Sequence, residues 1–187
     1  IGTVSHLLAT QVPQGEVLAV DISPESIEKA RVLWKKQSNL KFDVSDMSDF
    51  NLPGKTFDFF VFPDVLEHIP VAQHAPLFKN IQAHAHQDSV LFVHIPAPRY
   101  LEWMIANQPE KLQVIDQPLD TGILVQTLGA AGFYLEKMET YALFFEEKDY
   151  QYFVFRSSKK LQQSTAKSKW QVLKERILIR LKYGITS

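Results

Sequence analysis

The chain has 187 residues, 45% of them hydrophobic and 22% charged, with a net charge of -1. That is enough for one domain with a full core and too little for two of ordinary size, and it supplies no overall basic field to attract nucleic acid. The absence of cysteine excludes disulfides, thiolate metal sites and cysteine nucleophiles.

No signal peptide opens the chain and no apolar run approaches the roughly 20 residues that cross a bilayer, so a soluble, cytoplasmic protein is expected. Val4, Leu7 and Leu8 fall at helical spacing between Gly2 and Ala9, and Pro13 and Gly15 end that helix. The run Val17-Leu18-Ala19-Val20 ends in Asp21 and reads as a parallel strand covered on both faces. Ser23 is placed to cap the next helix, Pro24 suits its first position, and Ser26 to Gln37 carries Ile27, Ala30 and Trp34 on one face.

A short strand at Leu40-Lys41-Phe42 follows, then a polar connection holding Asp43, Asp46 and Asp49, and a Pro53-Gly54-Lys55 turn before a strand over 57–62. Helix is expected over 71–85 and a further buried strand over 89–95. Prolines break up 96–118, which reads as an irregular insertion or lid with a short helical stretch near 100–106. A helix over 119–131 closes at Gly132, and 133–140 and 150–156 alternate as two late strands, antiparallel neighbours. Strands alternating with helices imply an α/β fold with a doubly wound, mostly parallel sheet, whose ligands bind beyond the carboxyl ends of the strands. The polar stretch after Ser157 reads as a linker to a basic helix with an apolar stripe of Trp170, Leu173, Ile177 and Leu181. We therefore divide the chain into 1–157 and 158–187. The helix suits packing on its own domain, a homodimer contact or a peripheral contact with an anionic surface.

Asp21, Asp46 and Asp64 each stand where such a sheet presents groups to a ligand crevice. A carboxylate there can accept both hydroxyls of an adenosine ribose. Equally, an acid near a helix start favours the helix dipole.

Taken together, VLAVDISPESIEKAR, FDVSDM, FDFFVFPDVLEHIP, VLFVHIPAP and LGAAGF resemble the class I S-adenosylmethionine-dependent methyltransferases, in particular their small-molecule branch, over residues 2–156. The resemblance implies that Asp21 binds the ribose hydroxyls, that Ile22 packs on the adenine, and that Asp46 and Met47 meet its amino edge. It implies that Pro63, Asp64 and Val65 line the methionine end of the cofactor, with FFVF as the buried strand that leads there. The family's first strand and Gly-rich turn have no counterpart beyond Gly2, which matches the final glycine. The sheet is accordingly expected to lack its central first strand and the chain to be N-terminally incomplete.

Methyl transfer from a sulfonium depends mainly on in-line positioning in a site closed to water, with a general base for an oxygen acceptor. His68, just beyond the cofactor segment, and His94, at the end of a strand, are the two candidates. The same residues also read as structural, His68 steadying a turn with Glu67 and His94 bonding local backbone. His84 and His86 read as solvated. Arg99, Tyr100, Trp103 and Met104 are placed to set acceptor specificity, or else to pack a surface lid. No metal is expected. The implied function is methyl transfer to a small organic acceptor, at oxygen; the alternatives are a non-catalytic methyltransferase-like scaffold and a nicotinamide dinucleotide dehydrogenase.

Overall fold

A computed structural model of the protein describes residues 1–46, 50–157 and 166–183. It begins with α1 (Thr3–Gln11) and a two-stranded parallel pair, β1 (Val17–Asp21) and β2 (Leu40–Val44), connected by α2 (Pro24–Leu33). Ser23 caps α2 by accepting the Ser26 N–H at 3.2 Å, and Pro24 takes the first helical position, where its missing N–H costs nothing. The helix stops at Leu33, short of the expected Gln37; the Trp34 ring instead stacks on His6 at 4.0 Å. Asn39 fixes the α1–β1 connection, its amide lying 2.9–3.1 Å from the carbonyls of Ala9, Val12 and Gly15.

The second sheet has the order β3-β4-β6-β5. β3 (Phe57–Pro63) runs parallel to β4 (Ala85–Pro96), while β6 (Tyr150–Ser157) lies antiparallel to β4 and to the edge strand β5 (Phe133–Tyr141). This is the expected mixed sheet with antiparallel late strands. Among the described residues no strand pairs with the other edges of β1 and β3.

α3 (Val71–Ala83) and α5 (Thr121–Ala130) supply Leu77, Phe78, Ile81, Leu124 and Leu128 to one core, where they meet Phe60, Phe62, Leu91, Val93, Phe153 and Phe155 from the sheet. Because that core lies on one sheet face, β3 alternates: Phe60 and Phe62 are buried, whereas Phe59 is 65% exposed. The expectation that the whole FFVF run is buried fails for this reason. Val17 to Val20 are likewise half-buried and not enclosed.

Two further expectations change. Residues 96–118 are not irregular throughout, since Pro98 opens the ten-residue helix α4 (Pro98–Asn107), proline being tolerated in the first turn. His84 is buried, donating through Nδ1 to the Asn80 carbonyl at 3.0 Å and accepting the Leu52 N–H at Nε2 at 3.1 Å. His86 is partly exposed and faces Asp58 at 3.1 Å. The terminal α6 (Lys169–Tyr183) exposes Trp170, Leu173, Ile177 and Leu181. No helix of the described residues is long and apolar enough to cross a membrane.

Candidate active site

The predicted residues fall into three groups. The first is at the carboxyl end of β1–β2. Asp21 closes β1, and its Oδ1 accepts the Ser23 N–H at 2.8 Å, which leaves Oδ2 without a bond among the described residues. Ile22 beside it is 72% exposed. The Asp21 carbonyl accepts the Ser45 N–H at 3.1 Å, holding the start of the segment that carries exposed Asp46 close to β1. Met47 lies outside the described residues. Gly2 caps α1 at φ 67°, with Trp34 Nε1 at 3.0 Å from where a Cβ would stand, so both conformation and space demand glycine.

The second group is at the carboxyl ends of β3 and β4. Pro63 pairs with His94, Val65 packs against the core, and Asp64 takes the left-handed region at φ 52°, the only non-glycine described residue to do so. That conformation turns the Asp64 N–H onto the His94 carbonyl at 2.9 Å and its carboxylate to 3.3 Å from His94 Nδ1. The other ring nitrogen, Nε2, lies 2.5 Å from the Tyr141 hydroxyl, and the ring stacks on Tyr150 at 4.9 Å. Burial pushes the Asp64 carboxyl above its usual range, with His94 pulling it back. Burial also raises the phenols of Tyr141 and Tyr150, and Asp64 adds to both shifts, so both stay neutral.

His68 is held differently. Its Nδ1 donates to the Ile115 carbonyl at 2.7 Å and sits 3.2 Å from Asp116, while Nε2 is 3.3 Å from the Gln113 amide. The ring thus fastens the segment 113–117 to the 3₁₀ turn 66–68. Glu67, in that turn, is 2% exposed, and its Oε2 has no hydrogen-bond partner among the described residues. Burial raises its pKa to about 7, against the opposing pull of its own backbone N–H and His68.

The third group lines an open cleft of about 970 Å³ between α4 and the β5–β6 loop, with Arg99, Tyr100 and Trp103 on one wall and Phe145 to Asp149 on the other. Asp149, 2% exposed, shapes this loop by accepting the N–H groups of Leu143 and Phe144 at 2.7 and 2.8 Å. Burial acts to raise its pKa, but these backbone donors prevail and hold it below the usual range. Tyr150 joins the last two groups, stacked on His94 and 6.3 Å from Tyr100. Buried Met104 packs inward, away from the cleft wall.

Tyr141 and Tyr150 escape a sequence reading because the β5–β6 and β4–β6 pairings, not sequence proximity, bring them to His94. No described group of three or more His, Cys, Asp or Glu side chains is arranged to hold a metal ion.

Residues 1–88 match the family model described as methyltransferase domain. No curated protein matches the chain. Solved structures with the same fold include an S-adenosylmethionine-dependent methyltransferase from Methanosarcina mazei, at 17% identity and TM-score 0.70, covering 85% of this chain and 89% of that one. A protein from Pyrococcus horikoshii is similar at 20% identity and TM-score 0.68, covering 84% of this chain and 77% of its own. A TehB-like S-adenosylmethionine-dependent methyltransferase from Corynebacterium glutamicum matches at 18% identity and TM-score 0.62, with 84% and 75% covered. The chain therefore has the class I methyltransferase fold, and its first 88 residues carry the sequence pattern of the methyltransferase domain.

Proposed function

We propose that residues 1–157 bind S-adenosylmethionine and transfer its methyl group to the oxygen of a small organic acceptor. The observation that carries this reading is the joining of Asp64 and His94 at the carboxyl ends of β3 and β4 to an open cleft through the Tyr150 ring. Ligands of doubly wound sheets bind beyond those strand ends.

The residues present fit the cofactor. Asp21 offers a carboxylate oxygen without a bond among the described residues, suited to a ribose diol, and exposed Ile22 offers an apolar face for the adenine. Asp46 follows β2 at the same sheet end as Asp21, Met47 is assigned to the adenine by the resemblance alone, and Pro63, Asp64 and Val65 flank the methionine end. Gly2 lets the start of α1 close on Trp34 and Phe42. When bound, the cofactor supplies a methyl group activated on a cationic sulfur. What remains for the chain is to hold the acceptor in line, keep water out and take the acceptor proton.

His94 is the better placed base, because its imidazole is oriented by the Asp64 carboxylate at the strand ends and bonds only to side chains there, whereas His68 is engaged by the Ile115 carbonyl and the Gln113 amide and serves to hold that segment. Arg99, Tyr100 and Trp103 provide a cation and two ring faces for the acceptor. A cytoplasmic enzyme acting on a small molecule, without nucleic acid, is the consistent setting; α6 is the surface for a homodimer or peripheral contact.

Calorimetric titration of S-adenosylhomocysteine tests this reading. Micromolar binding, lost in Asp21→Ala, is expected. Absence of binding would leave a methyltransferase-like scaffold.

A further inference from the structure

Tyr141 has no role in the reading above, yet its hydroxyl makes the shortest contact in the strand-end group, 2.5 Å from His94 Nε2. The other ring nitrogen faces Asp64 at 3.3 Å. An ionised Asp64 can only accept, so it fixes the neutral ring with its proton on Nδ1. Nε2 is then bare and must accept the Tyr141 O–H. The result is a directed chain in which the phenol proton points inward and the phenol oxygen lone pairs point outward.

Three features show that this chain is built and not incidental. Asp64 adopts φ 52°, a conformation costly for a side chain with a Cβ, and its N–H anchors to the same residue that its carboxylate orients. Tyr150, opposite Tyr141 in the β5–β6 register, stacks on the imidazole and fixes its plane. The charged and titratable groups around the phenol are Asp64, Asp149, Tyr150 and Tyr152 besides His94; the carboxylates oppose formation of a free phenolate, which favours transfer through the hydroxyl.

Resting on the methyltransferase reading, we propose that Tyr141 is a catalytic residue that takes the acceptor's proton while passing its own to His94, and that Asp64 is the positioning residue of this relay. In balanced form, the acceptor O–H proton moves to the Tyr141 oxygen and the Tyr141 proton moves to His94 Nε2. The acceptor oxygen bonds the methyl carbon as the carbon–sulfur bond breaks, its electron pair remaining on sulfur. The imidazolium, held by Asp64, releases its proton to solvent after product leaves. The acceptor class is a hydroxyl too weakly acidic to ionise unaided, such as a phenol.

Two readouts on the whole chain test this. With histidine nitrogens labelled and S-adenosylhomocysteine present, the nuclear magnetic resonance signals of His94, assigned by their loss in His94→Gln, are expected to show the Nδ1-protonated tautomer. The Nε2 signal is expected to move in Tyr141→Phe. An Nε2-protonated tautomer, or no movement, overturns the relay. In the second readout, methyl transfer is measured to phenol and to 4-nitrophenol, which ionises near neutral pH without a base. Tyr141→Phe is expected to lower kcat for phenol by about 10²–10³-fold and for 4-nitrophenol by less than about tenfold, with binding of S-adenosylhomocysteine unchanged. Equal losses on both substrates, or none on either, overturn it. A wild-type protein that binds S-adenosylhomocysteine but methylates neither phenol also overturns it for this acceptor class. Failure of the wild type to bind S-adenosylhomocysteine instead overturns the methyltransferase reading itself, whatever tautomer His94 shows.

Discussion

Glu67 and His68 are adjacent in the chain but serve different surroundings: the Glu67 carboxyl is buried with Oε2 unpaired among the described residues, and the His68 imidazole turns to the Ile115 carbonyl at 2.7 Å. A buried, half-satisfied carboxyl is stable only while it keeps its proton. The Glu67 pKa is raised from 4.5 to about 7, so its contribution to stability is complete below the unfolded value and is lost as pH rises through 7. Glu67→Gln should therefore be more stable than the wild type at pH 8.5, by up to the order of 3 kcal/mol, with a much smaller difference at pH 5. Urea unfolding at the two pH values measures this. An equal difference at both would show that the carboxyl does not titrate in this range.

His68 should behave as a fastener. His68→Ala removes the bond to Ile115 and the contact with Gln113, and is expected to cost about 1–2 kcal/mol while leaving the cofactor affinity intact. Limited proteolysis should show earlier cleavage within 108–118. Should His68→Ala remain as stable and as protease-resistant as the wild type but lose methyl transfer, the roles given to His68 and His94 would have to be exchanged.

Asp149 makes the cleft wall. Its carboxylate is spent on the N–H groups of Leu143 and Phe144, so Asp149→Ala leaves both without a partner and is expected to destabilise by about 1.5–3 kcal/mol. Its folded pKa is depressed, so this stabilisation is present above the unfolded value of 3.8 and is lost as pH falls through the folded one. Wild type and variant should thus converge in stability toward strongly acidic pH, as thermal unfolding across pH would record. A difference that persisted unchanged at acid pH would mean that the loop is held by packing instead.

The parts of the fold written in local pattern are legible in the sequence. Ser23-Pro24 announces α2 because capping and proline chemistry act within one turn, and the break from FFVF to PDVLEH marks a strand end because burial and solvation change there at once. Phe59 shows the limit of that signal. Two adjacent apolar residues do not reveal that helices cover only one face, so its 65% exposure depends on packing partners far along the chain. His84 is misread for a related reason: Asn80 lies one turn back in the helix that His84 caps, but the Leu52 N–H that holds its other nitrogen comes from a loop 32 residues away. The site divides in the same way: Asp21 and Asp64 are visible as acids ending apolar runs, whereas Tyr141 reaches His94 only through the antiparallel β5–β6–β4 register.

Asp64 gives the sharpest test of strain placed at a site. At φ 52° a residue with a Cβ carries a penalty that glycine escapes, and aspartate tolerates the region better than alanine does. Asp64→Gly and Asp64→Ala remove the same carboxylate and the same contact with His94, so their difference isolates the backbone. Asp64→Ala is expected to be less stable than Asp64→Gly by about 1–2 kcal/mol in chemical denaturation. Both should lose the orientation of the imidazole and therefore methyl transfer, while Asp64→Asn, which suits the same backbone region, should keep stability and lose activity. Equal stability of the alanine and glycine variants would show that the turn relaxes without cost, and the left-handed Asp64 could then no longer be counted as strain maintained for function.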